Sequence, residues 1–241
     1  MNPFTLSQKT ILITGAAGGI GSETARVCAE LGASLILADR NSPHELVQTL
    51  SNNGTACCGI GFDVTDRHAT EQVFVELGIP DGIVINAGYC PWDDWSDENW
   101  DNVFDTVIDV NLKSAIHLAR AALPGMMQRG SGKIVLVSSV AGRNGGLRAS
   151  PHYVAAKGGI NALVKWLAHK AAARGVTVNG VCPGATQTAM TVGQQFNLDA
   201  IALGRMAQAQ DIAKPIAFLL GSGSDYMTGA TLDVNGGVYM A

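Results

Sequence analysis

The chain has 241 residues, 47% hydrophobic and 15% charged, with a formal net charge of −4. This describes a compact folded protein rather than a disordered one. The acidic balance without any Lys/Arg cluster excludes a nucleic-acid surface, and no apolar run approaches the ~18 residues of a membrane span.

Strands and helices alternate along the chain. Thr10 to Thr14 reads as a short buried strand running into Gly15-Ala-Ala-Gly-Gly19-Ile20-Gly21 and then a helix from Ser22 to Leu31. In that setting the glycines let backbone approach a pyrophosphate, and the new helix points its free N–H groups at the anion. Ser34 to Ala38 is a second strand ending in Asp39-Arg40, and an acid about 20 positions past the glycines is placed to accept hydrogen bonds from an adenosine ribose. Ser42-Pro-His-Glu45 reads as a capping box with Pro at the first helical position. Thr55 to Phe62 is a third strand, and Thr65 or Asp66 caps the helix that runs to Leu77. Gly82 to Gly88 is a fourth strand whose end, Asn86-Ala87-Gly88, is small enough for a ligand to lie against it. The segment Asp94 to Arg129 is mostly helical by pattern. Its stripe of Trp95, Trp100, Phe104, Ile108, Leu112 and Ile116 suits either core or a subunit contact. Ile134 to Val137 is strand five, Pro151 to Ala173 a largely buried helix, and Thr177 to Cys182 strand six, stopped by Pro183-Gly184. Ala189 to Leu203 has no regular period and reads as a mobile flap, followed by a helix, Asp211 to Leu220, and a last strand, Thr231 to Val234. With no linker tract and no repeat, the expected fold is α/β: residues 1–241 as one domain, a single doubly wound, mostly parallel sheet with helices on both faces, its ligand crevice at the strands' carboxyl ends.

The stretch Ser138 to Lys157 carries the chemistry. Tyr153 and Lys157 are four apart on a helix and share a face. A cation beside a phenol favours the phenolate and lowers its pKa, so Tyr153 is expected to act as a general acid/base. Hydroxyls at the strand end, Ser138 and Ser139, are placed to bond the same substrate oxygen.

Together these pieces resemble the short-chain dehydrogenase/reductase family, in its single-domain branch of about this length, over nearly the whole chain. Thr14-Gly15-x-x-x-Gly19-Ile20-Gly21 resembles that family's cofactor loop, Asp63-Val64 its adenine contact, and Asn86-Ala87-Gly88 the motif closing its fourth strand. Asn111, Ser139, Tyr153 and Lys157 fall where the family keeps its catalytic tetrad, and Pro183-Gly184 with Thr188 resembles the segment that holds the nicotinamide carboxamide. Ser139 is preferred to Ser138 because Val-Ala-Gly follows it. The chain departs from the pattern at Ile85, where a second Asn usually stands, and in a Trp100–Asn111 stretch about four residues longer than usual.

The resemblance implies reversible hydride transfer between a nicotinamide cofactor and a secondary alcohol or ketone. In that scheme Lys157 also bonds the nicotinamide ribose and Asn111 holds a water that passes the proton on. Asp39 implies NAD rather than NADP, with Arg40 swung outward to stack on the adenine; the family's habits imply a homotetramer. A 3-oxoacyl-thioester (acyl carrier protein) reductase is the alternative, resting on Arg129 and Arg174, and a non-catalytic binding protein on the same fold is the rival of another class. Tyr89, Pro91, Trp92, Val140, His152 and the flap are candidate walls of the substrate pocket. With no arginine placed to clamp a carboxylate, a neutral, fairly apolar substrate is expected, and no metal. Five cysteines at 28, 57, 58, 90 and 182, an odd number without Cys-x-x-Cys spacing, imply reduced thiols, and with no signal-peptide layout in the first residues, a cytoplasmic protein.

Overall fold

The computed structural model describes residues 4–146 and 148–241; Met1 to Pro3, at the start of the signal-peptide reading, and Leu147, within the Ser138–Lys157 stretch, lie outside the described residues. Seven strands form one sheet: β1 (Thr10–Thr14), β2 (Ser34–Asp39), β3 (Cys57–Gly61), β4 (Gly82–Ile85), β5 (Gly132–Val137), β6 (Val176–Pro183) and, after two short strands β7 (Thr186–Gln187) and β8 (Ala207–Gln208), β9 (Thr231–Val234). Their order is β3-β2-β1-β4-β5-β6-β9, and every adjacent pair is parallel. The order in which strands are added reverses between β1 and β4, which opens a crevice at their carboxyl ends, where such sheets take ligands.

Helices cover both faces, so the central strands are apolar on both sides instead of alternating. On one face α1 (Gly19–Glu30), α2 (His44–Asn52) and α8 (Ala209–Leu220) bury Cys28, Leu46 and Ile216 against Ile13, Leu37 and Val135. On the other, α3 (Arg67–Leu77), α5 (Ser114–Arg129) and α7 (Pro151–Ala171) bury Phe74, Leu118 and Val164 against Leu12, Ile83 and Leu136. Before α5 stands α4 (Trp100–Ile108), joined to it by a π-helical turn, Asp109–Lys113; α6 (Ala141–Asn144) is a single turn after β5.

Several expectations need correction. The Ser42 capping box does not form: α2 starts at His44 with Pro43 as its N-cap, and the Ser42 hydroxyl is buried without a partner. Asp66 does cap α3, accepting from the His68 and Ala69 amides. Trp95 lies ahead of α4 and is exposed; α7 buries one face only, and its Trp166 points to solvent beneath Lys170 with Ala155, Ala162 and Lys165 also exposed. The sequence leaves the Trp95 stripe open between core and subunit contact, whereas it places Trp166 inside a largely buried helix; an isolated apolar side chain on the surface carries little cost. The Ala189–Leu203 stretch has local order: 3₁₀ turns at Ala189–Thr191 and Leu198–Ala200, the first closed by reciprocal Thr188 and Thr191 side-chain bonds.

Candidate active site

At the carboxyl ends of the strands lies a cleft of about 870 Å³, a volume in the range of ligand sites. One end is the glycine turn. Gly15 adopts φ +67, left-handed backbone that favours glycine. A methyl built on Gly21 would sit 2.1 Å from the Gly15 carbonyl oxygen, and one on Gly19 would sit 2.5 Å from Thr188 Cγ2. The turn is therefore packed from below by its own backbone and from across the cleft by Thr188. Helix α1 begins after Gly18 with no side-chain cap, leaving its first amides for an anion. Asn86 clamps the turn from β4, donating to the Thr14 and Gly15 carbonyls, while the Thr14 hydroxyl accepts from the Asn86 and Ala87 amides. The β4 end is held through these bonds, so Ile85 in place of a second Asn leaves a purely apolar, buried residue there.

Asp39 accepts from the Ala17 amide at 3.0 Å and from Arg40's own amide at 2.7 Å, tying the end of β2 to the glycine turn. Arg40 is exposed at the rim. Asp63 accepts from the amide and hydroxyl of Thr65, bonds that, with the nearby Arg40 charge, hold its carboxyl below the usual range. Asp39, Arg40, Asp63 and Val64 all line the cleft, as do Gly15, Gly19 and Ile20. Asn86, Ala87 and Gly88 form its side, and Pro183, Gly184 and Thr188 face them. Gly21 does not reach the wall; it lies buried beneath the turn. The uncapped α1 amides, a glycine cradle that a Cβ would fill and a carboxylate at the end of β2 are a donor and acceptor set that fits a dinucleotide.

The other half is built on β5 and α7. Ser138 is buried and turned to the Lys157 carbonyl, whereas Ser139 hydrogen-bonds the Tyr153 phenol and accepts from the Ala141 amide at 3.1 Å. The choice of Ser139 thus agrees with which hydroxyl meets Tyr153. Lys157 donates to the Val137 carbonyl at 3.0 Å, and its Nζ stands 5.7 Å from the Tyr153 ring centroid. The expected lowering of the phenol's pKa is not what this arrangement gives. Burial pushes Tyr153 up, against a partial offset from the Ser139 hydrogen bond. Burial also pulls Lys157 down to about 8, and the ammonium, 5.7 Å from the ring centroid, does not reverse the cost of a buried phenolate. Tyr153 is a neutral phenol here. Asn111, in the π turn, does not line the cleft. Its amide donates to the Tyr89 and Val107 carbonyls and accepts from the Tyr89 amide, and so fixes the loop after β4.

Of the proposed pocket walls, Tyr89, Trp92 and Val140 line the cleft while Pro91 and His152 do not. His152 is fully buried, stacked on Trp100 with ring centroids 5.3 Å apart, and bonded to Asp93. Trp92 adopts φ +59, its indole donates to the Met190 carbonyl, and its ring meets Phe196 edge-on. The Thr188–Leu203 segment is thereby fastened over the substrate end. Sequence reading missed three residues here. Asp93 and Ser150, bonded to each other, are 57 positions apart and have no local signature. Arg148 lines the cleft and donates to the Gln195 carbonyl, contrary to the expectation of no arginine in the pocket. Its neighbourhood is irregular loop, which offers no periodicity to place it.

Comparison with known proteins agrees with this geometry. A family model described as enoyl-(acyl carrier protein) reductase matches residues 15–239. A 3-oxoacyl-[acyl-carrier-protein] reductase of Pseudomonas aeruginosa is 36% identical over 252 residues, covering 99% of this chain and all of that one. Among solved structures, a provisionally assigned 2-deoxy-D-gluconate 3-dehydrogenase from Agrobacterium tumefaciens with bound NADP superposes with a TM-score of 0.92 at 34% identity, over 99% of both chains. A 3-oxoacyl-[acyl-carrier protein] reductase from Brucella melitensis with bound NAD gives 0.91 at 30% identity, over 99% of this chain and 94% of that one. The chain belongs to the short-chain dehydrogenase/reductase family and is an oxidoreductase that works with a nicotinamide dinucleotide.

Proposed function

We propose that the protein reduces a ketone on a small molecule to a secondary alcohol with NADH, with Tyr153 as the proton donor, and runs the reverse oxidation more slowly near neutral pH. The observation that carries this reading is the Tyr153 phenol beside Ser139 on the wall of a cleft whose far end is the glycine turn. When bound, the dinucleotide supplies the hydride. Ser139 and Tyr153 hold the carbonyl oxygen, and the phenol proton passes to that oxygen as negative charge grows on it. Lys157, held by the Val137 carbonyl, donates to the cofactor ribose and helps restore the proton to Tyr153. Asn111 keeps the Tyr89 loop in place beside them. Gly15, Gly19 and Ile20, packed from below by Gly21, hold the pyrophosphate, Asp63 and Val64 the adenine, and Asn86, Ala87, Gly88, Pro183, Gly184 and Thr188 the nicotinamide half. Asp39 accepts from the ribose hydroxyls and disfavours a 2′-phosphate; at roughly 4 Å and an effective dielectric near 20, like charges repel by about 4 kcal/mol.

A panel of ketones assayed by consumption of the reduced cofactor tests this reading; no turnover of any ketone would overturn it. A second reading, reduction of a 3-oxoacyl thioester, is favoured by the identity to the acyl-carrier-protein reductases. Against it, Arg129 is engaged with the Ile79, Pro80 and Ser131 carbonyls instead of standing free for a carrier protein. We place the protein in the cytoplasm on the strength of its free thiols, and as a homotetramer on the exposure of Phe104 and Ile116 along α4 and α5. Light scattering showing a stable monomer would end the latter.

A further inference from the structure

We propose that Arg148 binds a carboxylate on the substrate, so that the ketone or alcohol handled here is a keto or hydroxy acid. This rests on the reading of the cleft as a carbonyl-reducing site and names its substrate class. The charged residues on the cleft wall are few and segregated. Asp39, Arg40 and Asp63 cluster at the glycine-turn end, where the ribose and adenine go. Lys157 is buried in the floor against the Val137 carbonyl. Arg148 alone among the described cleft residues puts a charge at the opposite end, on the loop that leads into α7, five residues before Tyr153.

Arg148 has no acidic partner among the described residues. Arg26, Arg67, Arg143 and Arg205 each pair with a carboxylate, whereas Arg148 makes its bond to the Gln195 main-chain carbonyl. That bond uses one arm of a fork with five N–H donors, which leaves the others for a ligand. A guanidinium accepts a carboxylate through two parallel bonds and cannot lose its charge. Tyr89, Trp92 and Phe196 give the same end of the cleft aromatic walls, and Arg148 stands exposed at that end, open to an incoming anion. Gln195 lies in the segment that Trp92 also fastens through Met190, so a carboxylate on Arg148 would be enclosed by the Thr188–Leu203 stretch. The gluconate-type dehydrogenase among the structural neighbours is named for a substrate that carries a carboxylate beside secondary hydroxyls.

The test pairs each acid with its neutral ester: acetoacetate with methyl acetoacetate, and levulinate with methyl levulinate. Each is measured for kcat/KM and, separately, for binding to the protein saturated with reduced cofactor, using the wild type, Arg148→Gln and Arg148→Lys. The expected result is tighter binding and faster reduction of at least one acid over its ester by about tenfold or more. That preference is lost in Arg148→Gln and kept in part in Arg148→Lys, the loss falling about tenfold more heavily on the acid than on its ester. Esters handled as well as acids by the wild type would overturn the proposal while leaving the carbonyl-reducing reading intact, as would an equal loss on both in Arg148→Gln. Arg148-dependent binding of an acid with no turnover would uphold the carboxylate site and overturn the reaction. An Arg148 effect seen only with a phosphopantetheine thioester, and not with its dephosphorylated form, would assign the arginine to a phosphate instead and overturn the proposal.

Discussion

His152 Nδ1 accepts a hydrogen bond from the Tyr153 main-chain amide at 2.8 Å. Because that amide can only donate, the imidazole proton is on Nε2, which lies 3.0 Å from Asp93 Oδ2. Asp93 also takes the Ser150 hydroxyl. Burial pushes the Asp93 carboxyl up, but the bonds from Ser150 and His152 outweigh it and keep the group below the usual carboxylate range. The start of α7, and with it Tyr153, is thus pinned to the loop that carries Trp92.

Removing Asp93 should loosen that pin. Asp93→Ala leaves the buried His152 Nε2–H unpaired, while the Ser150 hydroxyl keeps the main-chain carbonyl of residue 93; it costs about 1–3 kcal/mol in stability and should lower kcat while cofactor affinity stays within a few-fold. Denaturant titration together with separate kcat and cofactor-binding measurements checks it. An unchanged kcat would show that α7 holds Tyr153 without the clamp.

Lys157 should act against stability in the cofactor-free protein. Its folded pKa of about 8 is below the ordinary 10.5, so the unfolded chain binds more protons between those values and stability rises with pH across them. The shift of about 2.5 units corresponds to roughly 3 kcal/mol, fully felt below pH 8. Lys157→Met should therefore be more stable than wild type at pH 7 and nearly inactive, with the difference shrinking toward pH 9.5. Comparing the two proteins at each pH cancels the opposite trend from Cys28 and Cys90, whose burial lifts them to about 12 and about 11. A stability difference that does not change with pH would contradict the reading.

The glycine turn offers a paired test. Gly19→Ala places a methyl against Thr188 Cγ2, while Gly21→Ala places one against the Gly15 carbonyl. Overpacking of this kind costs about 1–3 kcal/mol. Thr188→Ser removes the nearer of the two opposing carbons and leaves Cβ at 2.8 Å, so it should restore cofactor binding to the Gly19 variant in part and leave the Gly21 variant impaired. Equal rescue of both, read by calorimetry with the cofactor, would mean that Thr188 does not bear on the turn.

Asp39 should decide between the dinucleotides. Asp39→Ala is expected to narrow the preference for NAD over NADP, mainly by weakening NAD, and also to loosen the turn because it deletes the acceptor for the Ala17 amide. An unchanged ratio of kcat/KM values would leave Asp39 as a brace for the turn and nothing more.

Much of this was legible in the sequence because the signals are local. Short apolar runs with glycine ends gave the strands, and all sixteen proposed cofactor positions sit on or just beneath the cleft, most of them because they follow strand ends in a parallel sheet. The four-residue spacing of Tyr153 and Lys157 placed them on one face, but spacing says nothing of burial, and burial is what reversed the expected shift on the phenol. Ser42 failed as a cap because its hydroxyl turns toward Gly59 in the neighbouring strand, a tertiary contact that no capping pattern encodes. Asp93, Ser150 and Arg148 were invisible for the same reason: each acquires its role from a loop that is distant in sequence.

The central claim, that Tyr153 moves the proton, is tested most directly by Tyr153→Phe in both directions across pH. With a neutral, buried phenol, wild-type reduction should hold steady through neutral pH while alcohol oxidation climbs with pH. The Phe variant should lose both, while its affinity for the cofactor stays within a few-fold of wild type. A Phe variant that keeps more than about a tenth of the wild-type rate, a barrier change below roughly 1.4 kcal/mol, would contradict the account.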